Sequence, residues 1–475
     1  MSKLKLFIQG NLEGGIHPYT YKSNFDMWGM ASTFQGVNMY DKEMRLVDRL
    51  TNYVKFESDY MELCFKDVTW HNGREISAED FLYSFGIVNY PRSYMKNVFT
   101  ARNIVGMEDY WSGNSDIIRG MEQIDRRTIR IHTVCRDDNL RNILVMPIVP
   151  QKENQQINEM DFFNCAAQKQ PIIGCGAYKP KIISTHYMEL ERNNEFCLGT
   201  PHIERLEIIG GTREAQIQHI KKRQVDFSVI DSGLEGYVDS EYYRVFSLPQ
   251  LYSTVISLNY DKMYMRHVEN RRALNKLVNK SQIIYELFGG HAIKLEQFYP
   301  YVQMQKYAIP EYDAVDDAEL SAPETIKVAY NHKNKEHAKL VQAIKENMKG
   351  SVNIEIETCE GQREAFEKGI DMYINDIYHE ILPRTTAYFD FCKGNLLKNY
   401  QEFEQLYDTY DALSGTIHDV AMVKKFAYLT HELLPCIPLY NKNEIQIVNR
   451  KLIGIQADSR GALWNIHELY FDDAI

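Results

Sequence analysis

The chain has no run of about 18 apolar residues, the length that lets a helix cross a bilayer, so no spanning helix is expected. It has no basic excess. Lys and Arg number 54 against 65 Asp and Glu, and the net charge of -11 argues against a nucleic-acid partner. A Gly-x-Ser-x-Gly elbow is missing, and with it the usual setting of an activated serine. Gly174 and Gly176 lack both a third glycine and a Gly-Lys-Ser/Thr ending, which excludes a phosphate loop. No Cys-x-x-Cys pair and no His-Glu-x-x-His occurs, so the common zinc and thiol-redox spacings are absent. Internal repeats, low-complexity tracts and long Pro/Gly/Ser linkers are missing too. The chain therefore reads as one continuously folded body with interleaved domains.

What is present is globular in character. The 475 residues are 44% apolar and 25% charged, enough for a sizeable core and about three domains. Eight cysteines (Cys64, Cys135, Cys165, Cys175, Cys197, Cys359, Cys392 and Cys436) are spread over the whole length. Most read as small buried apolar residues, as Cys64 does between Leu63 and Phe65. An even count permits disulfides, although no spacing demands them, and so many free thiols favour a reducing setting. The first ten residues are too short in their apolar part for a secretory segment, and no lipobox cysteine follows. Either an export segment has been removed ahead of Met1, or the protein stays in the cytoplasm.

The titratable residues suggest no catalytic set. His332 and His337 are five apart, which puts them on different helix faces, and both are expected to be solvated. His431 and Glu432 sit in an amphipathic stretch without a second histidine at metal-ligand spacing. Asp316 with Asp317, and Asp472 with Asp473, read as solvated acidic faces. Cys175 between two glycines invites a nucleophile reading, and a hydrolase built on it predicts inactivation by alkylation. The alternative is a structural turn. No enzyme, no cofactor and no metal are expected.

Strand patterns at residues 4–8, 128–132, 203–209, 253–258 and 326–330 mix with helical periodicity at 270–287, 337–348 and 420–434, so the fold class is α/β. A further unit stands out. Residues Asp67, Val68, Thr69, Trp70, His71, Asn72 and Gly73 read as a strand ending in an Asn-Gly turn. Ser77 and Asp80 then open a helix with Phe81, Leu82, Phe85 and Val88 on one face, stopped at Pro91.

This order of residue types resembles the hallmark of the family 5 extracellular solute-binding proteins, the dipeptide, oligopeptide and nickel receptors of ABC importers. Further matches follow in family order. They are the turn at Pro171, Gly174, Gly176 and Tyr178, then Arg192 and Asn193, Gly199 and Pro201, Asp226, and Asn259. Arg271 with Ala273 and Leu274, and Pro435 with Ile437, Pro438, Leu439 and Tyr440, complete the series. The resemblance implies a two-lobed periplasmic-binding clamshell (type II, cluster C-like) with an extra domain on the first lobe. Residues 1–45, 166–240 and 440–475 would form the first lobe, 46–165 the extra domain, and 241–439 the second lobe.

By the same resemblance the protein is expected to be the substrate-binding component of an ABC importer. It would be a monomer that closes on a short peptide or other small solute and docks on permease subunits, with no nucleic acid involved. It would work at the cell surface or in the periplasm. The alternative is a cytoplasmic ligand-sensing domain of a regulator with the same fold. Residues 371–383 fall where peptide-binding relatives carry an aspartate that holds the ligand's ammonium group. His379 occupies that aspartate's place, Glu380 stands beside it, and Asn375-Asp376 replaces the relatives' Gly-Trp pair. Three accounts remain open. Glu380 takes over the ammonium after a one-residue shift, His379 meets an anion or a metal chelate, or the segment is a rebuilt turn. The residues expected to line the site are Tyr94, Tyr252, Tyr378, His379 and Glu380, the tyrosines offering rigid apolar area with a polar tip.

Overall fold

The computed structural model describes residues 2–41, 45–90, 101–136, 138–154, 172–311, 320–321, 323–378, 400–413, 420–456 and 464–472. The chain forms two compact units. The first takes Met1–Ile230, Leu234–Phe246 and Gln446–Ile475, and the second takes Asp231–Gly233 and Ser247–Ile445. No described helix is long and apolar enough to cross a membrane.

In the first unit, strand Lys3–Gln9 alternates lysine with leucine at its start and buries Leu4 and Leu6. It lies between Arg205–Gly211 and Phe227–Ile230 and runs parallel to both. Parallel neighbours need a crossover, which helix Arg213–Lys221 supplies. The Thr212 hydroxyl caps that helix, accepting from the Ala215 N–H at 3.3 Å. Tyr187–Arg192 and Tyr178–Ser184 extend the sheet antiparallel. The strand expected at 203–209 begins two residues later than its apolar run.

The same unit holds a separate antiparallel sheet in the order Thr51–Phe56, Tyr60–Phe65, Thr128–His132, Met121–Gln123. Helix Ala78–Val88 buries Phe81 and Phe85 in one core with Met61, Leu63, Phe65, Ile129 and Ile131. Cys64 departs from its expected burial. Strand alternation sends Leu63 and Phe65 inward and leaves Cys64 half-exposed between them.

The second unit is built on a mixed sheet. Its strands run in the order Asn353–Cys359, Thr325–Asn331, Met372–Tyr378, Tyr252–Leu258 and Cys436–Asn449. The first three are parallel neighbours, and the remaining pairings are antiparallel. Helix Lys335–Asn347 connects the first parallel pair and buries Leu340, Val341 and Ile344 against Ile326, Val328 and Ile354. The single helix expected over 270–287 is in fact two, Val268–Leu277 and Lys280–Phe288. Val278 is extended, and Asn279 restarts the helix by accepting from the Gln282 N–H at 3.1 Å.

Candidate ligand-binding site

The hallmark segment does structural work in the first unit. Its expected strand reduces to an isolated bridge between Thr69 and Glu75, closed by a turn in which Gly73 adopts φ +81°. The carboxylate of Asp80 gathers the segment. It accepts from Trp70 Nε1 at 3.0 Å, from the Ser77 N–H at 3.0 Å and from the Gln151 N–H at 2.8 Å. Arg74 adds two bonds to Asp80 and reaches Glu153 at 3.0 Å. His71 locks onto the neighbouring glycine turn. Its Nδ1 accepts from the Gly174 N–H at 3.3 Å, and Nε2 lies 3.0 Å from the Gly176 carbonyl. Burial lowers the His71 pKa to about 4, which keeps the imidazole neutral as both bonds require.

Cys175 sits inside this turn and is 3% exposed. A Cβ on Gly174 would lie 1.9 Å from the Thr33 carbonyl oxygen, so the turn packs backbone against backbone at the end of helix Asn24–Thr33. Burial pushes the thiol's pKa well above its ordinary range, opposite to what a nucleophile needs. Among the described residues no group of His, Cys, Asp and Glu is placed to hold a metal ion.

The second unit carries a different kind of polar cluster. Asp376, Thr254 and Tyr440 are successive partners across three adjacent strands. Thr254 Oγ1 donates to Asp376 Oδ1 at 2.7 Å. His337 Nε2 lies 3.1 Å from Asp376 Oδ2 and must carry the proton to bond there. Thr254, Tyr440 and His337 are buried, whereas the Asp376 side chain keeps 25% of its surface. Tyr440 Oη ends beside Thr254 outside hydrogen-bond geometry, and His337 Nδ1 is likewise buried without a partner. Lys442, two residues beyond Tyr440 in the same strand, pairs with Glu336 at 2.5 Å.

Two of the expected site residues flank this cluster. Tyr252 and Tyr378 are register partners, two positions beyond the Thr254–Asp376 pair. The start of the Tyr252 strand is pinned by Asn441, whose Nδ2 donates to the Gln250 and Tyr252 carbonyls at 2.7 and 2.8 Å. Tyr94, His379 and Glu380 lie outside the described residues.

The sequence reading missed the cluster itself, and it placed His337 in solvent. That expectation is corrected: His337 is 5% exposed. The helix begins only at Lys335, capped by Asn334, whose Oδ1 accepts from the His337 N–H at 3.0 Å. His332 therefore lies outside the helix, and its spacing to His337 says nothing about faces. One available signal was the polar pair Asn375-Asp376 inside an otherwise apolar strand.

Comparison with known proteins agrees with this fold. The model of the bacterial extracellular solute-binding proteins, family 5 Middle, matches residues 66–395. A Brucella ovis protein with the provisional name of ABC transporter peptide-binding protein is 21% identical over 290 residues, or 60% of this chain. That stretch is 52% of the relative, so the chain spans about half the length of the curated protein it matches. The solved ABC transporter substrate binding protein CtaP of Listeria monocytogenes is 14% identical, with a TM-score of 0.76 over 99% of both chains. OppA of Haemophilus influenzae, solved in complex with the peptide RPPGFSPFR, is 17% identical, with a TM-score of 0.72 over 99% of both chains. These likenesses establish the α/β fold of the two-lobed solute-binding proteins. With the family match running over more than half of its length, the chain belongs to the bacterial extracellular solute-binding proteins of family 5.

Proposed function

We propose that this protein is the substrate-binding component of an ABC importer. It takes a short peptide, or a related small solute, between two lobes by hinge closure and delivers it to membrane permease subunits. The family match over residues 66–395 carries this reading. The peptide complex of the Haemophilus influenzae protein and the provisional name of the Brucella ovis relative support a peptide as the ligand. In this reading residues 1–45, 166–240 and 440–475 make one lobe with 46–165 as an added domain, and 241–439 make the other. The protein works outside the cytoplasm. The family match and the relatives named above do not favour the regulator alternative.

The physical basis is a shift between open and closed states. A ligand moves that equilibrium only by its preference for the closed form, and closure strengthens polar contacts by excluding water. Micromolar affinity corresponds to about -8 kcal/mol. The test is native mass spectrometry of the purified protein offered a tripeptide mixture, read against its denatured mass. Retention of adducts that fragment as peptides is expected. Retention of none, or of a metal ion alone, would overturn the peptide reading.

A further inference from the structure

Cys175 and Cys197 are held against one side chain. The Gln35 amide donates from Nε2 to the Cys197 sulfur at 3.1 Å and to the Cys175 carbonyl at 3.4 Å. Both cysteines are free thiols packed on the core of Phe65, Phe81 and Ile129, Cys175 buried in it and Cys197 partly so. The nearby Cys197 thiol adds to the burial that raises the Cys175 pKa.

The two segments are fastened by other bonds before any sulfur chemistry. Asn193 donates from its N–H to the Ala177 carbonyl at 2.8 Å and from Nδ2 to the Gly176 carbonyl at 3.2 Å. The Gly176 N–H donates to the Thr33 carbonyl at 2.8 Å, and His71 grips the turn from its other side. Two thiols fixed this way meet at a far higher effective concentration than free ones. Other described cysteines are placed differently. Cys359 and Cys436 stand on strands with three more between them, about 19 Å at the usual strand spacing, beyond the reach of a disulfide. Cys64 faces Thr128 at one end of its sheet, whereas Cys135 lies past the other end at His132.

We infer that Cys175 and Cys197 are a pair that an oxidising compartment joins as a disulfide. Two S–H bonds break and one S–S bond forms, and a small-molecule disulfide takes up the two electrons and two protons and leaves as two thiols. The less buried Cys197 attacks the reagent's sulfur and expels one thiolate, and Cys175 then attacks the Cys197 sulfur and expels the second. Burial raises both thiol pKa values in the folded reduced protein, so the exchange belongs to folding, before the turn closes over Cys175. The bond adds a covalent tie to the glycine turn that His71 holds. The extracytoplasmic setting proposed above supplies such a compartment, and the pairing is testable apart from it.

Reduced protein is unfolded in urea, refolded with oxidised glutathione, alkylated in denaturant without reduction, and mapped by peptide mass spectrometry. The expected product is a peptide pair joined through Cys175 and Cys197, separated by dithiothreitol. The oxidised protein should melt roughly 5 °C above the reduced one, as closing a loop of this length implies. Cys197→Ser, which alters the less buried partner, should show neither the link nor the rise. Alkylation or glutathione capping of both residues in wild type, or a link from either to a third cysteine, overturns the pairing. A link without a rise in melting temperature overturns it too, since the fold would then have to be strained to bring the sulfurs together. A link that forms on refolding but is missing from protein alkylated at the moment of cell lysis overturns the extracytoplasmic setting and leaves the pairing intact.

Discussion

Arg74 meets the Asp80 carboxylate with both terminal nitrogens, at 3.1 Å from Oδ2 and 2.8 Å from Oδ1. Asp80 is 1% exposed, and the pair ties the turn before helix Ala78–Val88 to the helix's own first turn. Glu153 accepts from the same guanidinium at 3.0 Å and brings residues 151–154 into the knot. A charge removed this far from water depends on its partners for nearly all of its stabilisation.

Asp80→Ala is therefore expected to destabilise the first unit by roughly 3–5 kcal/mol, the cost of leaving one member of a buried pair unpartnered. Urea unfolding followed by tryptophan fluorescence reads this directly, since Trp70 donates to Asp80. A shift no larger than that of a surface substitution such as Asp67→Ala would show that the knot is not what holds the segment.

His71 gives a pH dependence whose sign follows from its environment. Burial lowers its folded pKa from 6.5 to about 4, so the unfolded chain binds the extra proton over that interval. Its contribution is complete above pH 6.5 and is lost as pH falls through 4, with a magnitude of roughly 3 kcal/mol. His71→Gln is expected to lower stability at pH 7 and to flatten this part of the profile. Parallel stability curves for the two proteins between pH 7 and 4 would count against it.

The cysteines separate by environment. Cys135 is exposed, whereas Cys175 and Cys436 are buried, with burial pushing the Cys436 thiol up to about 12. A reagent that attacks thiolates should label Cys135 within minutes and reach Cys175 and Cys436 only after denaturant is added. Peptide mapping of the alkylated protein identifies the sites. Ligand binding should survive native-state alkylation, because no step in it needs a Cys175 thiolate.

Local elements were legible because their causes are local. Ser77 and Asp80 announce a helix start, and Phe81, Phe85 and Val88 fall on one buried face at the spacing a helix requires. The fold class followed from strands mixed with helices, and the ordered motifs pointed to the family. The polar row at Asp376 was not legible. Thr254 and Asp376 are 122 residues apart, and His337 and Asp376 are 39 apart. Their meeting depends on strand order and register, which alternation within one strand does not specify. His337 shows the same limit in reverse. His332 and His337 lie on opposite sides of the Asn334 cap, so helical spacing does not relate them.

Thr254 and Tyr440 put that row to a last test, because the two hydroxyls stand in adjacent strands and do opposite things. Thr254 Oγ1 donates to a carboxylate at 2.7 Å, and Thr254→Val should cost about 1.5–3 kcal/mol, the range for a hydrogen bond to a charged group. Tyr440 Oη is buried and unbonded, so Tyr440→Phe removes a desolvated group that gains nothing in the free protein. Its effect on unfolding should lie within about 0.5 kcal/mol of zero or be stabilising, since deletion leaves no new orphan. Chemical denaturation of both variants without ligand separates them. A Tyr440→Phe loss as large as that of Thr254→Val would mean the hydroxyl is already engaged in the free protein.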